Sequence, residues 1–341
     1  MRVVSLGSGS SGNALLVEAG PQGRTRLLVD AGLSARVITA RLRSVGVHPS
    51  QLQGVLVTHE HSDHVLGLPV LMKQHAIPVI ADPRTYKAIE EGIALGTWRT
   101  DSGRLVLTGV EQDAVLRETV TITYDSAPGV DVHEVYKEES VLRESEDVVQ
   151  DLCPLSVLSP VKTIALPVGS RWMIGDIEVT SFPISHDAVA PCGYLLRAGG
   201  CRVCLVTDSG EVTPAMLEMM QHADLLILEA NHDRERLLRG PYPRSLKQRI
   251  LSSNGHLSND QAADAVLRTW RSGDVRWLWL AHLSRTNNSP ALALQSIRVR
   301  LRAANANLAQ IHISALPPTM GQVWDSTQLW HTPSLWDMEA L

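Results

Sequence analysis

The sequence predicts an α/β domain in which apolar strands and helices pack in layers. First, short apolar runs such as 54–57 and 224–229 have the length of strands that are buried on both faces. Second, helix starts are marked by Ser34, by Thr213 before Pro214 and by Ser258. Third, apolar strands repeatedly end in histidine or aspartate, a position where α/β proteins build functional sites.

The elements follow this alternation in order. In the first part, we expect strands at residues 3–6, 14–18, 26–30, 54–57 and 78–81, and helices at 34–45, 66–75 and 83–91. In the second part, we expect strands at residues 177–181, 194–197, 202–206, 224–229, 275–281 and 311–314, and helices at 213–222, 258–270 and 290–303. The predicted organisation is one domain over residues 1–315, followed by a C-terminal tail over 316–341 that carries Trp324, Trp330 and Trp336.

An acidic stretch over residues 99–163 interrupts the alternation. It contains 13 acidic and six basic side chains, whereas the whole chain of 341 residues has a net charge of −5. We interpret it as an inserted acidic subdomain or lid. By contrast, residues 234–249 contain six basic side chains and one acidic one, which favours either a solvated surface or contact with phosphates.

The bulk composition indicates a soluble protein without a membrane span. No apolar run approaches the roughly 20 residues that cross a bilayer, and the N-terminus lacks a signal-peptide pattern. A cytoplasmic location is therefore expected. Four cysteines in a chain of this size do not form a disulfide framework, and Cys201 and Cys204 are expected to be ordinary, partly buried thiols.

Residues 58–64 contain the densest group of candidate ligands. His59, His61, Asp63 and His64 fall within six positions, directly after the apolar run 54–57. On a regular helix or strand these side chains would diverge, so we predict a loop that leaves a buried strand and curls around an ion. Imidazole and carboxylate ligands suit zinc, with manganese or iron as alternatives. The competing interpretation is a solvated polar loop.

Three later strand ends add further ligands. His186, Asp208 and His282 each follow an apolar strand, so they are expected along the same edge of the layered core. The resulting hypothesis is a centre for two divalent ions, with His59, His61 and His186 on one ion and Asp63, His64 and His282 on the other. Asp208 can bridge the pair. Two ions roughly 3.5–4 Å apart lower the pKa of a shared water and polarise a substrate oxygen.

The order H-x-H-x-D-H, later His, Asp and final His resembles the metallo-β-lactamase superfamily. The resemblance covers about residues 1–95 and 165–315. It implies a four-layer αββα sandwich of two similar halves, with the metals at one edge between the sheets. Lactamases of this fold carry cysteine where this chain has Asp208, so the resemblance favours the hydrolase, nuclease and phosphodiesterase branches.

Motifs in the second half narrow the resemblance. Residues 255–258 (GHLS) and 280–284 (LAHLS) look like the corresponding part of ribonuclease Z, where a histidine in the place of His256 contacts the scissile phosphate. Together with residues 7–13 (GSGSSGN), 185–187 (SHD) and 229–233 (EANHD), they resemble the WalJ (YycJ) branch. That resemblance implies an exonuclease-like enzyme that processes DNA.

Phosphodiester hydrolysis is chemically coherent with these residues. An activated water attacks phosphorus, Asp63 and Asp208 hold or steer it, and His256 is the candidate acid for the departing oxygen. The basic run would hold neighbouring phosphates. The predicted substrate contacts are Asn231, His232, Arg244, Lys247 and Ser258.

Two other functions remain open at the level of sequence. One is a small-molecule metallohydrolase, such as a cyclic phosphodiesterase, thioesterase or lactonase, which the acidic insertion favours because it would repel a polynucleotide. The other is a metal-stabilised interaction protein without catalytic activity. The expected partner is nucleic acid or another phosphodiester, with no membrane, and the oligomeric state is left open.

Overall fold

The computed structural model describes residues 1–95, 97–99, 105–107, 162–270 and 275–329. The predicted insertion therefore lies almost wholly outside the described residues, as do Trp330 and Trp336. Where the predicted insertion begins, β6 (Thr97–Arg99) and β7 (Leu105–Leu107) pair as a two-stranded antiparallel sheet. Among the described helices, none combines the length and apolar composition that crossing a bilayer requires.

The first sheet is built from both ends of the chain. Its strands are β1 (Arg2–Gly7), β2 (Ala14–Ala19), β3 (Thr25–Val29), β4 (Gly54–Leu56), β5 (Val79–Ala81), β8 (Thr163–Ala165) and β16 (Val323–Asp325). Their order is β16-β1-β2-β3-β4-β5-β8, antiparallel as far as β3 and parallel from there on. The helices of this half are α1 (Ala35–Ser44), α2 (Ser62–Val65), α3 (Leu68–His75) and α4 (Pro83–Leu95).

The second sheet repeats this plan. Its strands are β9 (Arg171–Ile174), β10 (Ile177–Pro183), β11 (Cys192–Ala198), β12 (Cys201–Val206), β13 (Leu225–Glu229), β14 (Arg276–Ala281) and β15 (Ile311–Ala315). The strands are antiparallel from β9 to β12 and parallel from β12 to β15. The helices of this half are α5 (Pro214–Met220), α6 (Arg234–Arg239), α7 (Arg244–Ile250), α8 (Asn259–Arg268) and α9 (Pro290–Ala303).

Three apolar clusters stack the two halves into four layers. One lies between the sheets and includes Val3 and Val203, while the neighbouring Val4 faces α1 and α3 on the other side of the first sheet. The third packs the second sheet against α5, α8 and α9. Successive residues of a strand point to opposite faces, so fully apolar strands can serve two of these layers at once. The αββα sandwich expected from the sequence is confirmed.

Most predicted elements are present with their expected start residues. Ser34 and Ser258 accept hydrogen bonds from the first turns of α1 and α8, and Thr213 does the same for α5. Cys201 and Cys204 are buried free thiols in β12, as expected. Strand β9 was not predicted, because its exposed residues Arg171–Met173 lack an apolar pattern.

The prediction of a C-terminal tail from residue 316 is wrong for the described part. β16 adds antiparallel to β1, and the Trp324 side chain is 1% exposed in the cluster between the sheets. Its ring lies edge-on to Trp277, with 6.1 Å between the ring centroids. The strand Val-Trp-Asp lacks the apolar run that marks the equally short β4 and β5, and only the packing of Trp324 identifies it as part of the domain.

Replacing Trp324 with alanine is expected to lower the free energy of unfolding by about 3–5 kcal/mol, because the change leaves a cavity between the sheets. Urea unfolding followed by circular dichroism measures this loss. Val323, in the same strand, is 47% exposed. Val323→Ala is therefore the matched control and should change the free energy by less than about 0.5 kcal/mol. Equal stability of the two variants would show that β16 does not complete the sheet.

Candidate metal centre

Polar residues that follow the parallel strands meet at one edge of the sandwich. β3 runs parallel to β4, and β12, β13 and β14 run parallel to one another. The carboxyl ends of parallel strands lie at the same edge of a sheet. The polar residues at these ends are Asp30, His59, His61, Asp208, Glu229 and His282, all of them buried.

Three of these strand-end residues adopt the left-handed backbone conformation. The φ angle is 59° at Asp30, 59° at Asp208 and 54° at His282. A residue with a Cβ atom is strained there by about 1–3 kcal/mol, and the strain persists only where surrounding contacts hold it. Sharp turns at the strand ends thus bring these side chains into the buried edge.

The first group of donor atoms belongs to His59, His61 and His186. Their ring centroids are 4.6 to 5.0 Å apart, and His186 Nε2 lies 3.3 Å from His61 Nδ1. His186 Nδ1 lies 3.2 Å from the carbonyl oxygen of Gly255, which can only accept a hydrogen bond. Nδ1 therefore carries the proton, and Nε2 is left as a ligand atom. This arrangement could hold one ion.

The second group belongs to Asp63, His64 and His282. Asp63 Oδ2 lies 3.3 Å from His282 Nε2 and 3.5 Å from His64 Nε2. The amide nitrogen of Asn13 lies 3.4 Å from the same oxygen and 3.2 Å from His64 Nε2. These donor atoms also lie within 4.8 Å of one another and could hold a second ion.

Asp208 lies between the two groups. Its Oδ2 is 3.1 Å from His64 Nε2, and its Oδ1 is 2.8 Å from His282 Nδ1. It also falls within the 4.8 Å grouping with His59 and His64. His64 and His282 both belong to the second group, so Asp208 adjoins that group directly and the first group through His59, and its bridging role stays a prediction.

The donor set fits divalent metal ions. His59 Nε2 and Asp63 Oδ1 are buried and have no hydrogen-bond partner among the described residues. Buried polar atoms without partners are rare in proteins, and an ion is one of the few groups that satisfies several at once. Imidazole nitrogen with carboxylate oxygen is the ligand chemistry of zinc and its neighbours.

Electrostatics favour the ligand forms of two of these residues. Burial lowers the pKa of His59 well below its ordinary value, and the neighbouring His64, His61 and His186 lower it further. Burial alone would raise the pKa of Asp208, but the adjacent His282 and His64 outweigh it and hold that pKa well below the usual range. Neutral His59 and ionised Asp208 are both able to bind a cation.

Residues 58–64 differ from the predicted loop. His61 precedes the single helical turn α2, which contains Asp63 and His64. The backbone changes from extended at His61 to helical in α2, and His59 and His61 lie in one group while Asp63 and His64 lie in the other. Gly32 permits this packing, since a Cβ atom there would lie 1.5 Å from the Asp63 carbonyl oxygen.

Sequence reasoning missed Glu229, which is fully buried beside Asp208. Its Oε1 accepts from His256 Nδ1 at 2.8 Å and lies 3.0 Å from His282 Nδ1. Its Oε2 accepts from the backbone N–H groups of Ser209 and Leu257. Burial opposes the charge, but His256 and His282 hold the pKa of Glu229 below its usual value. The position of Glu229 at the end of the apolar strand β13 is the sequence signal that could have assigned it to the site.

Asp30 was also missed as part of the site. Its Oδ2 lies 2.8 Å from His64 Nδ1, and its Oδ1 accepts from the backbone N–H of Thr58 at 2.9 Å. Asp30 thereby orients the His64 ring and leaves Nε2 towards Asp208. Like Glu229, Asp30 lies at the end of a buried strand. This position alone does not show whether a carboxylate binds a metal ion or orients a metal-binding histidine.

The predicted substrate contacts divide into two kinds. The Asn231 amide donates to the carbonyl of His282, the Ser258 hydroxyl caps α8, and Lys247 Nζ donates to the carbonyls of Leu238 and Gly240. These three side chains make contacts within the protein, and their contact with substrate stays a prediction. The charge run in the sequence does not reveal that the Lys247 ammonium bonds nearby carbonyls.

His232 and Arg244 keep their prediction of substrate contact. His232 is buried, neither ring nitrogen has a hydrogen-bond partner among the described residues, and burial lowers its pKa to about 4. It is therefore neutral at pH 7. Arg244 is exposed at the start of α7.

The chain matches known families over most of its length. A family model described as the metallo-beta-lactamase superfamily matches residues 7–142, and one described as a beta-lactamase superfamily domain matches residues 131–272. The crystal structure of YhfI, a metallo-beta-lactamase fold protein from Bacillus subtilis, superimposes with a TM-score of 0.53 at 18% identity. It covers 95% of this chain and 98% of YhfI, which supports the same fold.

Curated relatives include three nucleases. The chain is 32% identical to the exodeoxyribonuclease WalJ of Streptococcus pneumoniae over 300 residues, which is 88% of each protein. It is 32% identical to the exodeoxyribonuclease YycJ of Bacillus anthracis over 292 residues, or 86% of each. A shorter match joins it to ribonuclease Z of Pyrobaculum neutrophilum, 40% identical over 82 residues, 23% of this chain and 26% of that one. The chain therefore belongs to the metallo-β-lactamase superfamily, on the branch that includes WalJ and YycJ.

Proposed function

We propose that this protein is a two-metal phosphodiesterase that removes nucleotides from DNA. The observation that carries the proposal is the buried Glu229–His256 pair beside two adjoining groups of metal-binding donor atoms. Hydrolysis of a phosphodiester needs activated water on one side of phosphorus and a proton for the departing oxygen on the other. The similarity to exodeoxyribonucleases over 88% of the chain supports DNA as the substrate.

The proposed ligands are those of the two donor groups. His59, His61 and His186 would hold one ion, Asp63, His64 and His282 would hold the other, and Asp208 is the residue proposed to serve both. Zinc suits this nitrogen and oxygen donor set, and manganese and iron are the alternatives. When bound, two such ions supply Lewis acidity and lower the pKa of water near the phosphate.

The chain's own residues supply positioning and proton transfer. Glu229 accepts a hydrogen bond from His256 Nδ1, so the protonated imidazole presents Nε2–H as its acidic group. His256 then gives this proton to the departing oxygen, while Glu229 stabilises the imidazolium form before transfer. Asp63 would steer the attacking water with Oδ1, which is unpartnered among the described residues, and Asp208 would help to hold the ions that activate this water.

Asp208→Ala is expected to abolish DNA cleavage, because it removes the only residue assigned to both ions. The number of metal ions per chain, measured by elemental analysis, should fall below two. Asp224→Ala is the control, since Asp224 precedes β13 at the opposite end of the strand and pairs with Arg202. Cleavage of end-labelled single- and double-stranded DNA measures activity. Full activity in Asp208→Ala would contradict the assignment of Asp208 to both ions.

His256→Ala is expected to lower the turnover of DNA by about 10²–10⁴-fold with the metal content unchanged, because general acid catalysis is lost. Glu229→Gln should cause a smaller fall, since His256 remains but its imidazolium form loses the charged partner. Bis-p-nitrophenyl phosphate serves as the comparison. Its leaving group departs as a stable anion, so both variants should hydrolyse it at nearly the parent rate.

Two results contradict this proposal at different levels. An equal loss on DNA and on bis-p-nitrophenyl phosphate would mean that His256 does not protonate the leaving group. Metal-loaded protein that hydrolyses bis-p-nitrophenyl phosphate but no form of DNA would be a small-molecule phosphodiesterase instead.

A further inference from the structure

The basic run of the sequence forms two short helices beside the metal centre. α6 and α7 together make a segment that we call the arginine hairpin, residues 234–250. Its N-terminal end follows Glu229 of β13 by a few residues. Its C-terminal end leads to Gly255, whose carbonyl contacts His186, and to His256. The arginine hairpin is therefore tied to the centre at both ends.

Two of its basic side chains are bound within the protein. Lys247 Nζ donates to the carbonyl oxygens of Leu238 and Gly240, at 2.9 and 2.7 Å, and so joins α7 to the end of α6. Arg249 forms a two-pronged ion pair with Asp187, at 2.8 and 2.9 Å. Both partners of this pair are partly buried, with side chains 21% and 33% exposed.

The Arg249–Asp187 pair joins the arginine hairpin to a proposed metal ligand. Asp187 directly follows His186, and its Oδ1 lies 3.5 Å from His186 Nε2. Loss of Arg249 would leave the Asp187 carboxylate beside His186 without its counter-charge and would free the end of α7. A planar guanidinium that bonds both carboxylate oxygens also fixes orientation, which a lysine cannot reproduce fully.

Three arginines of the hairpin have side chains that are available to bind a substrate. Arg234, Arg236 and Arg244 are exposed, and none has a carboxylate partner among the described residues, whereas Arg239 pairs with Glu235 at 3.2 Å. Three free guanidinium groups beside a phosphodiesterase centre complement the backbone of a polynucleotide, which carries one negative charge at every nucleotide.

We infer that Arg234, Arg236 and Arg244 bind the phosphodiester backbone beyond the scissile phosphate, while Lys247 and Arg249 are positioning residues that hold this surface on the centre. The inference rests on the proposed function and names the part of the substrate that the three exposed arginines bind. The three exposed arginines act on DNA affinity and its salt dependence. Arg249 acts on turnover through His186.

The triple variant R234A/R236A/R244A tests the surface. The KM for single-stranded DNA should rise about tenfold or more, and the logarithm of affinity should depend less steeply on the logarithm of salt, by about two units. Hydrolysis of bis-p-nitrophenyl phosphate should not change, since this substrate has no neighbouring phosphates. The control R268A/R298A/R302A removes the same charge from exposed arginines late in α8 and α9 and should leave all three measurements unchanged.

Arg249→Ala tests the positioning role. We expect a lower kcat on both DNA and bis-p-nitrophenyl phosphate, weaker zinc retention in competition with a chelator, and an unchanged salt dependence. Arg249→Lys should restore part of the zinc retention, because it keeps one half of the ion pair. A change in the salt dependence with unchanged kcat would make Arg249 a phosphate ligand and overturn this division of roles.

Binding of a fluorescent phosphorothioate oligonucleotide, followed by anisotropy, separates this inference from the proposed function. Weaker binding by the triple variant than by the control upholds the surface even if the parent protein cleaves no DNA, a result that would overturn the function alone. Equal affinity of the two triple variants would overturn the surface, whatever the parent protein hydrolyses.

Discussion

The structure depends on keeping carboxylates and imidazoles together in a buried site. An unpaired buried charge is costly, so the groups of this site are arranged as pairs of opposite charge or as candidate metal ligands. Asp208 is the central case, because it is fully buried and lies within 3.1 Å of imidazoles from both halves of the chain. Loss of this one carboxylate would leave His64 and His282 with Asp63 as their remaining shared carboxylate, at 3.5 and 3.3 Å.

The arrangement of the two sheets brings these carboxylates and imidazoles together. Two sheets of the same plan place their parallel strand ends at one edge, and strained turns at Asp30, Asp208 and His282 bring side chains from both sheets into it. Supporting contacts then orient each ring, through Asp30 for His64, Gly255 for His186 and Glu229 for His256. Rigid strand ends with oriented rings are what a metal centre needs, since small displacements of a ligand weaken binding.

The proposed catalytic and binding parts of the site differ in their physical character. Around the donor groups, polar atoms are buried and their positions are set by several contacts. On the arginine hairpin, the same kind of basic residue serves two purposes, because some guanidinium and ammonium groups are occupied by internal acceptors and others face solvent. This division lets the centre keep its geometry while the exposed arginines adapt to a flexible polynucleotide.

The sequence by itself determined the layered fold and predicted which residues come together in the two donor groups and beside Asp208, because ligand types at strand ends are visible in a one-dimensional pattern. The tertiary structure alone decided three things. Glu229 and Asp30 became supporting carboxylates, since only geometry shows which imidazole a carboxylate meets. Lys247 and Arg249 were found to bond acceptors inside the protein, since a run of basic residues in the sequence does not show which of them have internal partners. Trp324 joined the core, because its strand lacks the apolar run that marks β4 and β5 and is defined only by the sheet that it completes.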